Sequence, residues 1–432
     1  MTAILSSTAI VASAATVSST AKGVATGIIL AIDLGKFHSQ GCFYRIADGS
    51  HEFKRIESTP RAMHDLLVER KVDRVVIEAG AQAGWVVDLC RGLGIEVEVA
   101  NANGEAWRWK AVKNKSDRQD ALKLARLSVM NQLGSLVHVP SKEVRQWRSL
   151  IQYRCTLVER RTAIRNSIHA LLAVQGTEAV IRSWSAAMIA ELNKLSRPLS
   201  ECGADELWRG QLDLELGAME QVTGLIEQAE AKLEALVEPA GPEGSEEPEG
   251  SGRKKEPKEG EKESARKERA HRVALLKSIP GVGPRLAEMV VAWIDDPHRF
   301  RNGRQVGSYA GLTPRRYQSG ESERSGRISK AGCGRMRKLL VQVAWGMLRH
   351  NERGKAVFDR LCKDQKTRRK QAAVALARKV LVWCWAMLRD DQPWDEKRWE
   401  EGSEKAGEFS AWAAVGTGER RGSGKALAEA TA

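Results

Sequence analysis

The chain has 432 residues, a formal net charge of +14 and 29% charged residues. That length supports two or three domains with their own cores, and the positive excess points to a polyanionic partner. Seven scattered cysteines with no CxxC pair argue against a disulfide scaffold or a structural zinc site and fit free thiols in a reducing compartment. No stretch reaches the ~18 uninterrupted apolar residues of a membrane span.

Residues 1–26 read as a flexible N-terminal extension, because no Lys or Arg precedes their apolar part as a secretory signal requires. From 27 to 140 strand and helix signals alternate. Strands are expected at 27–33, 40–46, 51–56, 74–78 and 95–100, and helices at 60–70, 83–93 and 117–130. This order predicts an α/β domain with a mixed sheet flanked by helices. Residues 141–238 are helical in pattern. Leu212, Met219, Ile226 and Leu233 recur every seven residues, which suits coiled-coil packing either on the helix at 144–173 or on another subunit. Residues 239–269 are rich in Pro, Gly, Lys and Glu and predict a disordered charged linker. A compact basic, mainly helical domain is expected at 270–395 and a disordered tail at 396–432.

Four carboxylates stand out. Asp33 and Glu78 each close an apolar strand, where α/β sheets place their sites. Asp117 and Asp120 lie one helical turn apart and project from one face. Such a set can hold two divalent cations, and Mg2+ favours its hard oxygen ligands. The plainer alternative is ordinary strand-edge acids and helix N-terminal charge. Arg108, Lys110, Lys113, Lys115 and Arg118 surround the third acid, interleaved with Trp107 and Trp109. Arg315, Arg316, Arg324, Arg327, Lys330, Arg335, Arg337 and Lys338 form a second basic cluster. Either cluster suits a nucleic-acid backbone or a solvated surface.

In Ser278-Ile-Pro-Gly-Val-Gly283, a helix end, a Gly-rich hairpin and a new helix suggest a helix-hairpin-helix-like unit. Gly281 and Gly283 would let a phosphate approach the backbone, or the segment is a tight turn with no ligand. Ser319 sits in an Arg-rich, turn-prone segment. Its hydroxyl could attack a phosphodiester if neighbouring charge activates it. By spacing alone it is a turn residue, and Ser322, Ser325 and Ser329 compete for the role.

These motifs, in this order, resemble the DEDD transposases of bacterial insertion sequences, the RNA-guided bridge recombinases. The resemblance rests on Ala31-Ile-Asp33, Ile77-Glu78-Ala-Gly80, Asn114-Lys-Ser-Asp-Arg-Gln-Asp-Ala121, Ser278-Ile-Pro-Gly-Val-Gly283, Ala310-Gly-Leu-Thr-Pro-Arg-Arg-Tyr-Gln-Ser-Gly320 and Ser329-Lys-Ala-Gly332. It implies an RNase H-like (RuvC-like) N-terminal domain whose catalytic acids, binding Mg2+ or Mn2+, map to Asp33, Glu78, Asp117 and Asp120. It further implies a coiled-coil middle and a C-terminal domain whose nucleophile maps to Ser319. The implied partners are double-stranded donor and target DNA, a structured non-coding RNA and further copies of the chain in a dimer or tetramer, with no membrane, in the bacterial cytoplasm. The residues also admit two rivals: a RuvC-like nuclease that uses water, and a nucleic-acid-binding protein without turnover.

Overall fold

A computed structural model describes residues 27–101, 116–177, 181–237, 259–319 and 322–395. It divides into two compact units, one ending at Lys142 and one beginning at Glu143. The expected N-terminal extension, residues 239–258 of the expected linker and the expected tail lie outside the described residues.

In the first unit, three strands come first: β1 (Ile28–Asp33), β2 (His38–Arg45) and β3 (His51–Glu57). They are followed by α1 (Pro60–Arg70), β4 (Arg74–Glu78), α2 (Ala83–Gly92), β5 (Glu96–Ala100) and α3 (Asp117–Val129). The strand order is β3-β2-β1-β4-β5. β2 runs antiparallel to both neighbours, while β1 pairs in parallel with β4 and β4 with β5. A hairpin-linked trio continued by helix-linked parallel strands is the RNase H-like α/β arrangement expected from the sequence.

β1 and β4 are buried on both faces, which explains their unbroken apolar runs. Alternate residues serve two cores. Leu30, Ile32, Val75 and Ile77 join Met63, Leu67, Val86 and Cys90 beneath α1 and α2. Ile29, Ala31, Val76 and Ala100 meet Leu124, Ala125 and Leu127 of α3. Burial raises the thiols of Cys42 and Cys90 to about 11, so both remain protonated and unreactive.

The second unit is almost wholly helical. α4 (Lys142–Val174), α5 (Ala186–Leu195) and α6 (Leu207–Val237) precede α7 (Glu259–Lys277) and α8 (Pro284–Ile294). After α9 (Gly303–Tyr309) comes a hairpin, β6 (Pro314–Ser319) and β7 (Ser322–Ile328), then α10 (Gly334–His350), α11 (Glu352–Cys362) and α12 (Arg369–Asp390). The seven-residue seam of α6 is buried on α4 of the same chain. Leu212, Leu216 and Met219 meet Ile168 and Leu172, and Ile226 and Ala229 meet Leu157, so the two helices run antiparallel. Arg154 pairs with Glu230 across them.

Residues 259–269, expected as linker, instead form the first turns of α7. Their charges alternate in sign, and pairs such as Glu263–Lys267 and Glu268–Arg272 sit at i, i+4, where they support a helix. Val273, Leu275 and Leu276 then anchor it in the core. α8 is buried at every residue from Leu286 to Ile294, as a helix apolar on all sides but for Glu288 must be. Its C-terminal carbonyls accept from three arginines, Arg148, Arg272 and Arg299, which offset the negative end of the dipole. α12 contains a stretch long and apolar enough to cross a membrane, but most of that stretch is buried as the core helix of this unit. Its Cys384 thiol is pushed up to about 12 by complete burial.

Candidate active site

Strand pairing brings two of the four acids together. Ile32 of β1 pairs with Ile77 of β4, so Asp33 and Glu78, the next residue on each parallel strand, end neighbouring strands side by side. The alternation that sends Ala31 and Val76 toward α3 sends Asp33 and Glu78 to the same face. Both are half-buried. Ser116 caps α3, its hydroxyl accepting from the Gln119 amide at 3.4 Å, which fixes Asp117 and Asp120 in the first turn. Asp117 is exposed and Asp120 half-exposed, immediately before Ala121, Leu124 and Ala125, which pack on the sheet. All four acids therefore belong to the sheet face and helix that meet in one core. Among the described residues, no group of three or more His, Cys, Asp or Glu is arranged to hold a metal ion.

The loop after Asp33 is braced by residues that carry no sequence signal. Ser58 donates its hydroxyl to the Gly35 carbonyl at 2.8 Å and shares a 2.7 Å hydrogen bond with buried Ser39. Gln82, four residues past Glu78, donates to the same carbonyl at 3.1 Å. The loop following one acid is thus tied to the loop following the other. Ser39, Ser58 and Gln82 are far apart in sequence and follow no period, so only the register of β2 and β3 reveals them.

Of the first basic cluster, Arg108, Lys110, Lys113 and Lys115 lie outside the described residues, as do Trp107 and Trp109. Arg118 is exposed, its guanidinium 5.8 Å from the Phe53 ring centre.

In the second unit, Ser319 is the last residue of β6 and pairs with Ser322 of β7, so it stands at the hairpin tip. The sequence pointed to a turn here but not to the two strands that present it. The hairpin base is held by backbone meeting backbone. Ser329 donates to Thr313 at 2.8 Å and Lys330 to Gly311 at 3.1 Å. A Cβ on Gly311 would lie 2.2 Å from the Ala331 carbonyl, and one on Gly332 would lie 2.2 Å from that of Tyr309. Both have positive φ, so only glycine fits. Ser329 Oγ is buried, which removes it from the competition for an accessible nucleophile.

The second basic cluster divides. Arg335 is bound by Glu159, Thr156 and the Gln152 carbonyl of α4, and Arg337 by the carbonyls of Ala310, Ala331 and Gly332. These two, expected at a nucleic-acid surface, brace the fold, because their guanidiniums find fixed acceptors within the unit. Arg315 is exposed and donates to the Ser329 carbonyl, and Arg327, Lys330 and Lys338 are exposed. Arg316 and Arg324 sit on facing strands of the hairpin. Gly281 lies in the α7–α8 turn against Met347, and Gly283 starts α8 in open space. Buried Asn351 fixes that turn by donating to the Pro280 carbonyl at 3.2 Å.

A family model described as "Transposase IS116/IS110/IS902 family" matches residues 273–359, and a DEDD transposase model of the IS110 type matches residues 30–175. The transposase for insertion sequence element IS1111A of Coxiella burnetii is 29% identical over 368 residues, covering 83% of this chain and 89% of that protein. The pilin gene-inverting protein of Moraxella bovis is 32% identical over 135 residues, 29% of this chain and 40% of its own length. The solved structure of Thermus thermophilus RuvC aligns with 25% of this chain and 98% of its own, at 11% identity and a TM-score of 0.19. Two matched models that together span more than half the chain, carried by an acid-bearing sheet and a serine-bearing hairpin, place it: the chain belongs to the IS110-type DEDD transposases and is a DNA transposase.

Proposed function

We propose that the chain cuts and rejoins DNA through a covalent serine intermediate, with Ser319 as nucleophile and Asp33, Glu78, Asp117 and Asp120 as the metal-binding acids. The observation that carries this is the pairing of β1 with β4, which sets Asp33 beside Glu78 on the face that receives the helix beginning with Asp117 and Asp120. An all-carboxylate set suits a hard divalent cation, Mg2+ or Mn2+. Such ions, when bound, would supply Lewis-acid stabilisation of the phosphoryl charge. Asp33 and Glu78 on the strand ends and Asp117 and Asp120 on the first turn of α3 are the residues that would hold them.

In the proposed step, a bond forms between Ser319 Oγ and the DNA phosphorus, and one bond from phosphorus to a deoxyribose oxygen breaks. The serine proton ends on the freed hydroxyl. Arg315 and Arg327, exposed on the same hairpin, and Arg316 and Arg324 in its two strands make this a positively charged element, which favours a bound phosphate. A structured non-coding RNA as guide and a dimer or tetramer that completes one site from two copies belong to the same reading. Both rest on the resemblance carried by the motif order, and the +14 charge suits the RNA.

Incubation with nicked suicide DNA and Mg2+ tests the reading. The wild type should form a covalent protein–DNA adduct, while Ser319→Ala should form none and still bind DNA. Free DNA ends released by Ser319→Ala would instead identify a water-using nuclease.

A further inference from the structure

Among the described tryptophans, Trp345 alone is exposed, with 37% of its surface open, on the outer face of α10. Indoles are costly to leave in water, and most of the others here lie in or against a core. Its neighbours on that face are charged or polar. Lys338, Gln342, Trp345 and Arg349 recur at i, i+4, i+7 and i+11 and are all exposed, while Met336, Leu340, Ala344 and Met347 fill the opposite, buried face. α10 contains no Asp or Glu. The indole is also propped. Phe358 of α11 packs at 5.6 Å between ring centres, and the Arg369 guanidinium lies 5.9 Å from the Trp345 ring and 5.5 Å from that of Phe358.

We infer that this face of α10 is a stacking platform for an unpaired nucleobase, with Trp345 beneath the base and Lys338 and Arg349 on the flanking phosphates. An indole held rigid by a second aromatic ring and a guanidinium spends little entropy on stacking, and every base offers a π-face to it. An apolar protein partner would call for further exposed apolar side chains beside Trp345, whereas this stripe supplies cations. A single strand of DNA and a single-stranded part of an RNA share the recognised chemistry. The platform rests on the chain's membership among DNA transposases and uses neither Ser319 nor the four acids, so a failed adduct experiment leaves it standing.

The test is equilibrium binding of the full chain to labelled oligothymidine, oligouridine and a DNA duplex of the same length. Trp345→Ala should weaken binding to the single strands by about 5- to 150-fold, the equivalent of one lost base stack, and leave duplex binding unchanged. Trp345→Phe should restore most of it. A loss confined to oligouridine or to oligothymidine names the strand that uses the platform. Lys338→Ala with Arg349→Ala, which leaves the core side of α10 intact, should reduce the slope of log affinity against log salt on single strands by about 1.4. Unchanged single-strand affinity in Trp345→Ala, an equal loss on duplex, or a change in oligomeric mass in place of a binding defect would each overturn the inference.

Discussion

At the scale of single residues, the account turns on which side chains face each other. Asp33 and Glu78 share a face because strand alternation and parallel register leave them no other. Replacing either with its amide should lower strand transfer by about 10²-fold or more, as expected for lost transition-state charge stabilisation, with DNA binding and melting temperature retained. A strand-transfer assay beside a mobility shift separates those effects. Glu288 gives a prediction of another kind. It is 2% exposed within α8, and burial holds its carboxyl above its ordinary 4.5, despite Arg285 at 3.4 Å and nearby Arg154. A raised carboxyl favours the folded state most fully below pH 4.5, and the contribution is lost as pH rises through the shifted value. Glu288→Gln should therefore gain stability relative to the wild type as pH is raised from ~5 to ~8, read as the difference in melting temperature at each pH. Arg285 keeps Glu230 and Glu234 in the variant, so no buried cation is orphaned.

At the scale of elements, periodicity carried most of the information and composition misled. The strands of the first unit match their expected positions to within two residues, because β1 and β4 are buried on both faces and read as unbroken apolar runs. The α6 seam was equally legible, but whether its partner was α4 or a second subunit was not, since a heptad pattern is the same for both. The first turns of α7 were hidden. Their Lys and Glu content resembles a solvated linker, and only the sign alternation at i, i+4 distinguishes a helix. The β6–β7 hairpin was missed for a related reason. Its strands are arginine- and serine-rich with no apolar alternation to read, and its base is held by close backbone contact and by Ile328 against the core. Gly311→Ala should accordingly destabilise the second unit by about 1–3 kcal/mol through strain at a positive φ and lower strand transfer by displacing Ser319. Denaturant melts and activity measured on the same preparation will show whether the two losses travel together.

At the scale of the whole molecule, charge and division of labour dominate. In the proposed mechanism the chemistry is split between a unit that carries carboxylates on a sheet and a unit that carries a serine on a hairpin. The conjunction of these motifs was legible in the sequence because their order is distinctive. The bracing by Ser39, Ser58 and Gln82 was not, because hydrogen bonds between distant polar residues leave no periodic trace. A +14 chain that clamps DNA through backbone phosphates should lose about 10³-fold or more in duplex affinity between ~50 and ~200 mM salt if it makes about six to ten such contacts.

The central claim is that Ser319 carries the DNA, and it is read most directly by digesting the trapped adduct with nuclease and protease and mapping the nucleotide-bearing peptide by mass spectrometry. The account predicts a nucleotide phosphate on Ser319, formed only when a divalent cation is supplied and Asp33 and Glu78 are intact. A nucleotide on any other side chain, or DNA cleaved with no modified peptide at all, would contradict it.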